Sequence, residues 1–144
     1  DNNAAASLGP LIRLVDETLT VTDLGSVAID LHVAGSDGFE LTGSSTMASI
    51  SRSPESLVGQ LMGGDHQYPD GVVLYTGTMF APIEDRHSPG EGFTHEPGDV
   101  VTISSPQLGS LVNLVDYCDA IAPWTFGIGA LMENLAARGL LSAG

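Results

Sequence analysis

The sequence predicts an α+β fold that is mainly β, with a few short helices. Three observations predict it. Large apolar residues fall at every second position from Val27 to Val33, and two further β-prone segments, Asp99 to Ser104 and Leu111 to Asp116, flank the turn Pro106-Gln107-Leu108-Gly109. Only two stretches carry an apolar stripe at helical spacing.

Leu11-Ile12-Arg13-Leu14-Val15 is a short apolar run that ends in acids, and a strand or buried extended segment is expected there. In the next segment Val27, Ile29, Leu31 and Val33 fall on one face and Ala28, Asp30 and His32 on the other, the pattern of a half-buried strand. Gly35-Ser36-Asp37-Gly38 tolerates the left-handed backbone of a tight reversal, and Phe39-Glu40-Leu41 resumes the alternation, so a hairpin follows. Ser53 is placed to cap a helix, Pro54 suits its first turn and Glu55 its dipole; Leu57, Val58, Leu61 and Met62 form one stripe, which Gly63-Gly64 ends. Val72-Val73-Leu74-Tyr75 is continuously apolar, which predicts a strand covered on both faces and running into Thr76-Gly77-Thr78. Residues 79 to 97 hold three prolines, two glycines, four acids and two histidines without periodicity, a long loop of the kind that often carries function. Asp99 to Ser104 and Leu111 to Asp116 make a second hairpin. Gly127 to Arg138 reads as a helix with Leu131, Met132, Leu135 and Ala136 on one face and Gly139 as its stop.

The chain has 144 residues, enough for one compact domain or a large piece of one. No apolar run approaches the roughly 20 residues of a membrane span. The opening Asp1-Asn2-Asn3-Ala4-Ala5-Ala6 lacks signal-peptide regions and an initiator methionine, which points to a processed chain. Cys118 is the single cysteine, so no disulfide framework is needed and a reducing, cytoplasmic setting is expected. With 18 acids against 4 bases, Arg13, Arg52, Arg86 and Arg138, the formal net charge is −14, which repels phosphate backbones and excludes nucleic acid as an expected partner. The scattered acids fit a solvated surface, either adapted to high salt or simply poor in lysine.

None of His32, His66, His87 and His95 has the spacing of a zinc site, and structural or surface roles are expected. The acid pairs Glu84-Asp85, Asp116 with Asp119, and Asp16-Glu17 read as solvated surface, and no Glu-x-Glu occurs. There is no nucleophile elbow, no phosphate loop, and Cys118 stands between Asp116 and Asp119, a poor setting for a nucleophilic thiolate. Gly77-Thr78 differs in kind: a glycine and a hydroxyl at the end of a buried strand can present a backbone N–H and Oγ to a carboxylate or keto oxygen.

Asp70-Gly71-Val72-Val73-Leu74-Tyr75-Thr76-Gly77-Thr78, then Pro97-Gly98-Asp99-Val100-Val101, then Leu108-Gly109-Ser110-Leu111-Val112-Asn113 resemble, in that order, the C-terminal part of the fumarylacetoacetate hydrolase family. Ile50-Ser51-Arg52, Gly92-Phe93-Thr94-His95 and Pro123-Trp124-Thr125-Phe126-Gly127 leading to Asn134 through Leu141 look most like its 2-keto-3-deoxy-D-xylonate dehydratase branch. The resemblance runs over nearly all 144 residues, so residues 1–144 are expected to be the C-terminal portion of one catalytic domain.

What the resemblance implies is a mixed β-roll, a divalent cation (Mg²⁺ or Mn²⁺), a keto-acid substrate and a homodimer or tetramer. In such enzymes the metal polarises a 2-keto acid, an enolate forms, and either water leaves or a C–C bond is hydrolysed. The dehydratase branch would yield 2-oxoglutarate semialdehyde; the alternative within the family is a C–C bond hydrolase of a 2,4-diketo acid. The family's metal ligands, a Glu-x-Glu and an Asp, and a lysine lie upstream of the matching segment, so this chain is expected to hold no metal ligand and to be inactive without an upstream segment. Gly77 and Thr78 match the family's substrate-binding pair, in which the threonine contacts the keto acid. Asn3 falls near an active-site position, and Phe80 and His95 stand where the long loop can reach substrate. A truncated, non-catalytic binding or assembly module is the rival from another class.

Overall fold

A computed structural model describes residues 6–77 and 80–141. Its centre is one four-stranded antiparallel sheet of strands β1 (Ala28–Ala34), β2 (Glu40–Thr46), β3 (Val100–Ser105) and β4 (Gly109–Leu114), in the order β2-β1-β3-β4. Helices are few and short: α1 (Val21–Leu24), α2 (Pro54–Leu61) and α3 (Ile128–Ala137), with a single 3₁₀ turn at Met47–Ser49. The mainly β, α+β expectation agrees with this architecture.

The first hairpin closes where its turn residues require. Gly35 N–H donates to the Phe39 carbonyl at 2.8 Å, Gly38 takes φ +87°, and the Asp37 side chain accepts from Phe39 N–H at 3.0 Å. In register, Val33 stands opposite Leu41 on one side and Val101 on the other, while Leu31 stands opposite Gly43 and Ile103. Alternate residues share a face, so Ile29, Leu31 and Val33 look the same way as Leu41 and Ile103. That face holds the deepest apolar contacts, with Val33 and Leu41 buried at 0% and 2% exposure; Val27 and Leu19 extend the core beyond the sheet. The second hairpin pairs Ile103 with Leu111 and turns through Pro106 to Leu108.

The helices begin where the side chains can satisfy free amides. Ser53 Oγ accepts from Ser56 N–H at the start of α2, with Pro54 in the first turn. Gly139, at φ +66°, follows α3 and lets its chain reverse. The sequence did not announce α1, which is set by a reciprocal cap: Thr20 Oγ accepts from Asp23 N–H, and the Asp23 carboxylate accepts from Thr20 N–H at 2.8 Å.

Two expected strands are absent from the described residues. Residues 11–15 pair with no neighbour and lie exposed; only a lone bridge between Asp16 and Leu19 follows them. The cause is local chemistry, because Asp16 accepts from Arg13 at 2.8 and 2.9 Å and from Thr18 N–H and Oγ at 2.8 Å, folding the chain into a side-chain-held turn. Val72 to Tyr75 also joins no ladder, and all four residues are exposed. Apolar, β-branched composition supplies propensity, but a strand exists only as one side of a ladder. No helix among the described residues is long and apolar enough to cross a membrane.

Candidate functional site

The buried face of the sheet continues into a cavity of about 310 Å³. Ile29 and Leu31 of β1 and Ile103 of β3 form its floor, and Phe80, Phe93 and His95 from the long loop form its wall. The floor follows from strand periodicity, which sends these three side chains to one side. The wall depends on a glycine. A Cβ at Gly43, in the centre of β2, would run into the Phe80 ring, so the missing side chain is what lets that ring settle on the strand. The lining is predominantly apolar, with the His95 imidazole as its one ionisable group.

His95 is held from behind by a charged cluster. Asp99 is completely buried, and its carboxylate accepts from Arg86 Nη1 at 2.6 Å, Arg86 Nη2 at 2.8 Å and Glu96 N–H at 2.9 Å. Its Oδ2 also lies 3.5 Å from His95 Nδ1. The Arg86 side chain is 1% exposed; it donates to Asp37 at 3.2 Å and to the Thr94 carbonyl at 3.2 Å, and sits 4.8 Å above the Phe39 ring. A buried charge survives only when paired and hydrogen-bonded in this way. Space is tight as well, since a Cβ at Gly35 would collide with the Asp37 carboxylate and the Arg86 guanidinium.

The electrostatics follow from these bonds. Hydrogen bonds from Arg86, followed by that from Glu96 N–H, hold Asp99 down to about 2, against a desolvation cost that acts the other way. Asp99 raises the Arg86 guanidinium further above its ordinary value. Phe39 N–H and Arg86 lower Asp37. Rings complete the cluster: Phe93 packs on Phe39 at 5.9 Å and meets His95 edge-on at 4.8 Å. Phe39, Arg86, Asp99, His95 and Phe93 thus form one connected unit between the first hairpin and the cavity.

Of the residues singled out from the sequence, Phe80 and His95 are brought together on this cavity. Gly77 adopts φ +78° with open space around it and is not among the cavity's lining residues. Thr78 and Asn3 lie outside the described residues. His32 pairs with Glu40, and His87 with Glu96 at 2.7 Å, both on the surface as expected. The acid pairs are engaged locally: Asp85 accepts from Gly90 N–H at 2.8 Å and Gly92 N–H at 2.6 Å, which lowers its pKa and shapes the loop. Among the described residues no group of three His, Cys, Asp or Glu side chains is placed to hold a metal ion, so these residues do not fit a divalent cation by themselves.

Sequence reasoning missed Arg86 and Asp99. One clue was available, since Arg86 is the sole base between Arg52 and Arg138 and sits in a loop rich in acids. No protein-family model, no curated protein and no solved structure matches the chain.

Proposed function

We propose that this chain is the C-terminal part of a fumarylacetoacetate hydrolase-type enzyme whose substrate is a 2-keto-3-deoxy sugar acid, dehydrated to 2-oxoglutarate semialdehyde. The observation that carries the reading is the convergence of Phe80 and His95, named from the sequence, on one cavity over the buried face of the sheet. In this proposal the sheet is part of a mixed β-roll completed by an upstream segment, and that segment would carry the ligands for Mg²⁺ or Mn²⁺, whose contribution would be Lewis-acid polarisation of the keto group. The enzyme acts as a homodimer or tetramer in the cytoplasm. This chain's own residues bind and orient the acid, keep water from its carbon chain and move a proton.

Exposed apolar side chains support the reading that further polypeptide packs against this chain. Leu11, Ile83 and Trp124 are each more than four-fifths exposed, the state of side chains awaiting a covering layer.

The lining favours a second reading on the same site. Phe80, Phe93 and the isoleucines offer no partners to sugar hydroxyls, which leaves Ser44, Ser45 and His95 as the polar residues of the lining, so a flatter 2,4-diketo acid cleaved at a C–C bond also suits the wall. Assay of the natural full-length protein with Mg²⁺ and each acid separates the readings. Formation of 2-oxoglutarate semialdehyde from 2-keto-3-deoxy-D-xylonate is the expected result. Cleavage of the diketo acid alone would make it a hydrolase, and silence toward both would leave a non-catalytic binding module.

A further inference from the structure

We propose that His95 is the proton-transfer residue of the cavity, acting from Nε2, and that Asp99 is the positioning residue that fixes its tautomer. The inference rests on the keto-acid reading above and deepens it by assigning a group to the carbon next to the keto function.

The geometry supplies each requirement of a general acid–base group. The imidazole lines the apolar cavity, so a bound acid lies within its reach. Nδ1 lies 3.5 Å from Asp99 Oδ2, and the negative charge of that carboxylate favours the tautomer that carries its proton on Nδ1. Nε2 then keeps its lone pair, and among the described residues no partner engages it. Asp99 cannot turn away, because Arg86 grips both its oxygens and Glu96 N–H adds a third bond. Phe93 fixes the ring from its edge at 4.8 Å. The other charged groups near the ring are Arg86, already committed to Asp99 and Asp37, and Asp116, which borders with His95 and Cys118 a second cavity of about 480 Å³. A base oriented by a buried carboxylate, on a side chain that lines a cavity, is an arrangement suited to enolisation.

Dehydration balances without a further reactant, and hydrolytic cleavage takes up one water. Nε2 takes a proton from C3, and the C–H electron pair becomes the enolate. In dehydration that pair forms the C3–C4 double bond as the C4–O bond breaks, and Nε2–H returns its proton to the departing hydroxide as water. In C–C cleavage Nε2 takes a proton from the water that adds to C4, the C3–C4 bond breaks with its electron pair forming the enolate at C3, and Nε2–H delivers that proton to C3. One residue therefore serves both readings.

The test is exchange of the C3 hydrogens of 2-oxobutanoate with D₂O, followed by NMR in the natural full-length protein and in its His95→Gln variant. The His95 side chain is 43% exposed, so the substitution leaves the Arg86–Asp99 pair in place and the variant folds, which circular dichroism verifies. The expected result is a loss of exchange of about 100-fold or more with little change in binding of the acid. Exchange that survives in His95→Gln overturns this inference alone, whereas a wild-type protein that neither exchanges nor turns over any keto acid overturns the underlying reading. The positioning role has its own readout: imidazole ¹⁵N shifts in mildly alkaline solution place the His95 proton on Nδ1, and a proton found on Nε2 overturns the role of Asp99.

Discussion

Asp99 shows how much one buried carboxylate does here. It joins the loop to the first hairpin through Arg86, ties down Glu96 N–H and stands behind His95. Asp99→Asn keeps the shape and removes the charge, leaving a guanidinium that is 1% exposed without its main counter-ion. The expected outcome is a thermal midpoint lower by more than about 5 °C at neutral pH, read by circular dichroism. The sign of the pH dependence follows from the lowered pKa. The folded carboxylate titrates at about 2 against 3.8 for the free group, so the unfolded chain binds the proton first as pH falls. The stabilisation is complete above about pH 4 and is lost as pH drops from there to about 2. The gap between wild type and variant closes over that window; a gap that stays constant through it would show that shape rather than charge is lost.

At the scale of elements, the packing of the Phe80 loop on β2 turns on a single absent methyl group. Gly43→Ala places a Cβ where the Phe80 ring sits, and the strand cannot retreat because β1 holds it on its other edge. A loss of about 1 to 3 kcal/mol is expected from such overpacking, measured by urea unfolding. Unchanged stability would mean that the ring does not rest there. The elements themselves were largely legible. Alternation at Val27 to Val33, the caps at Ser53 and Pro54, and the stop at Gly139 act through near neighbours, and β1, α2 and α3 appear where they point. Val72 to Tyr75 misled, because its apolar run carries propensity without saying which strand will pair with it. The site divides in the same way. Phe80 and His95 could be suspected from their place in the loop, but the Arg86–Asp99 pair depends on the loop's path in space and on the depth of burial, and neither leaves a local pattern.

At the scale of the whole molecule, charge dominates. A net −14 spread over the surface repels itself, and only four arginines oppose it. One of these, Arg86, is fully occupied inside, and another, Arg13, is paired with Asp16 at 2.8 Å. Added salt screens the acids and leaves the buried pair almost untouched, so the thermal midpoint is expected to rise between low and molar KCl. A midpoint that falls with salt would mean that surface ion pairs outweigh the repulsion. The burial of Arg86 has a further consequence for proteolysis. Trypsin needs the whole arginine side chain in its specificity pocket, and the chain offers it only Arg13, Arg52, Arg86 and Arg138, with no lysine anywhere. The peptide bond after Arg86 is therefore shielded by the side chain's own engagement with Asp99, and a cut there records each moment at which the long loop lets go of the sheet.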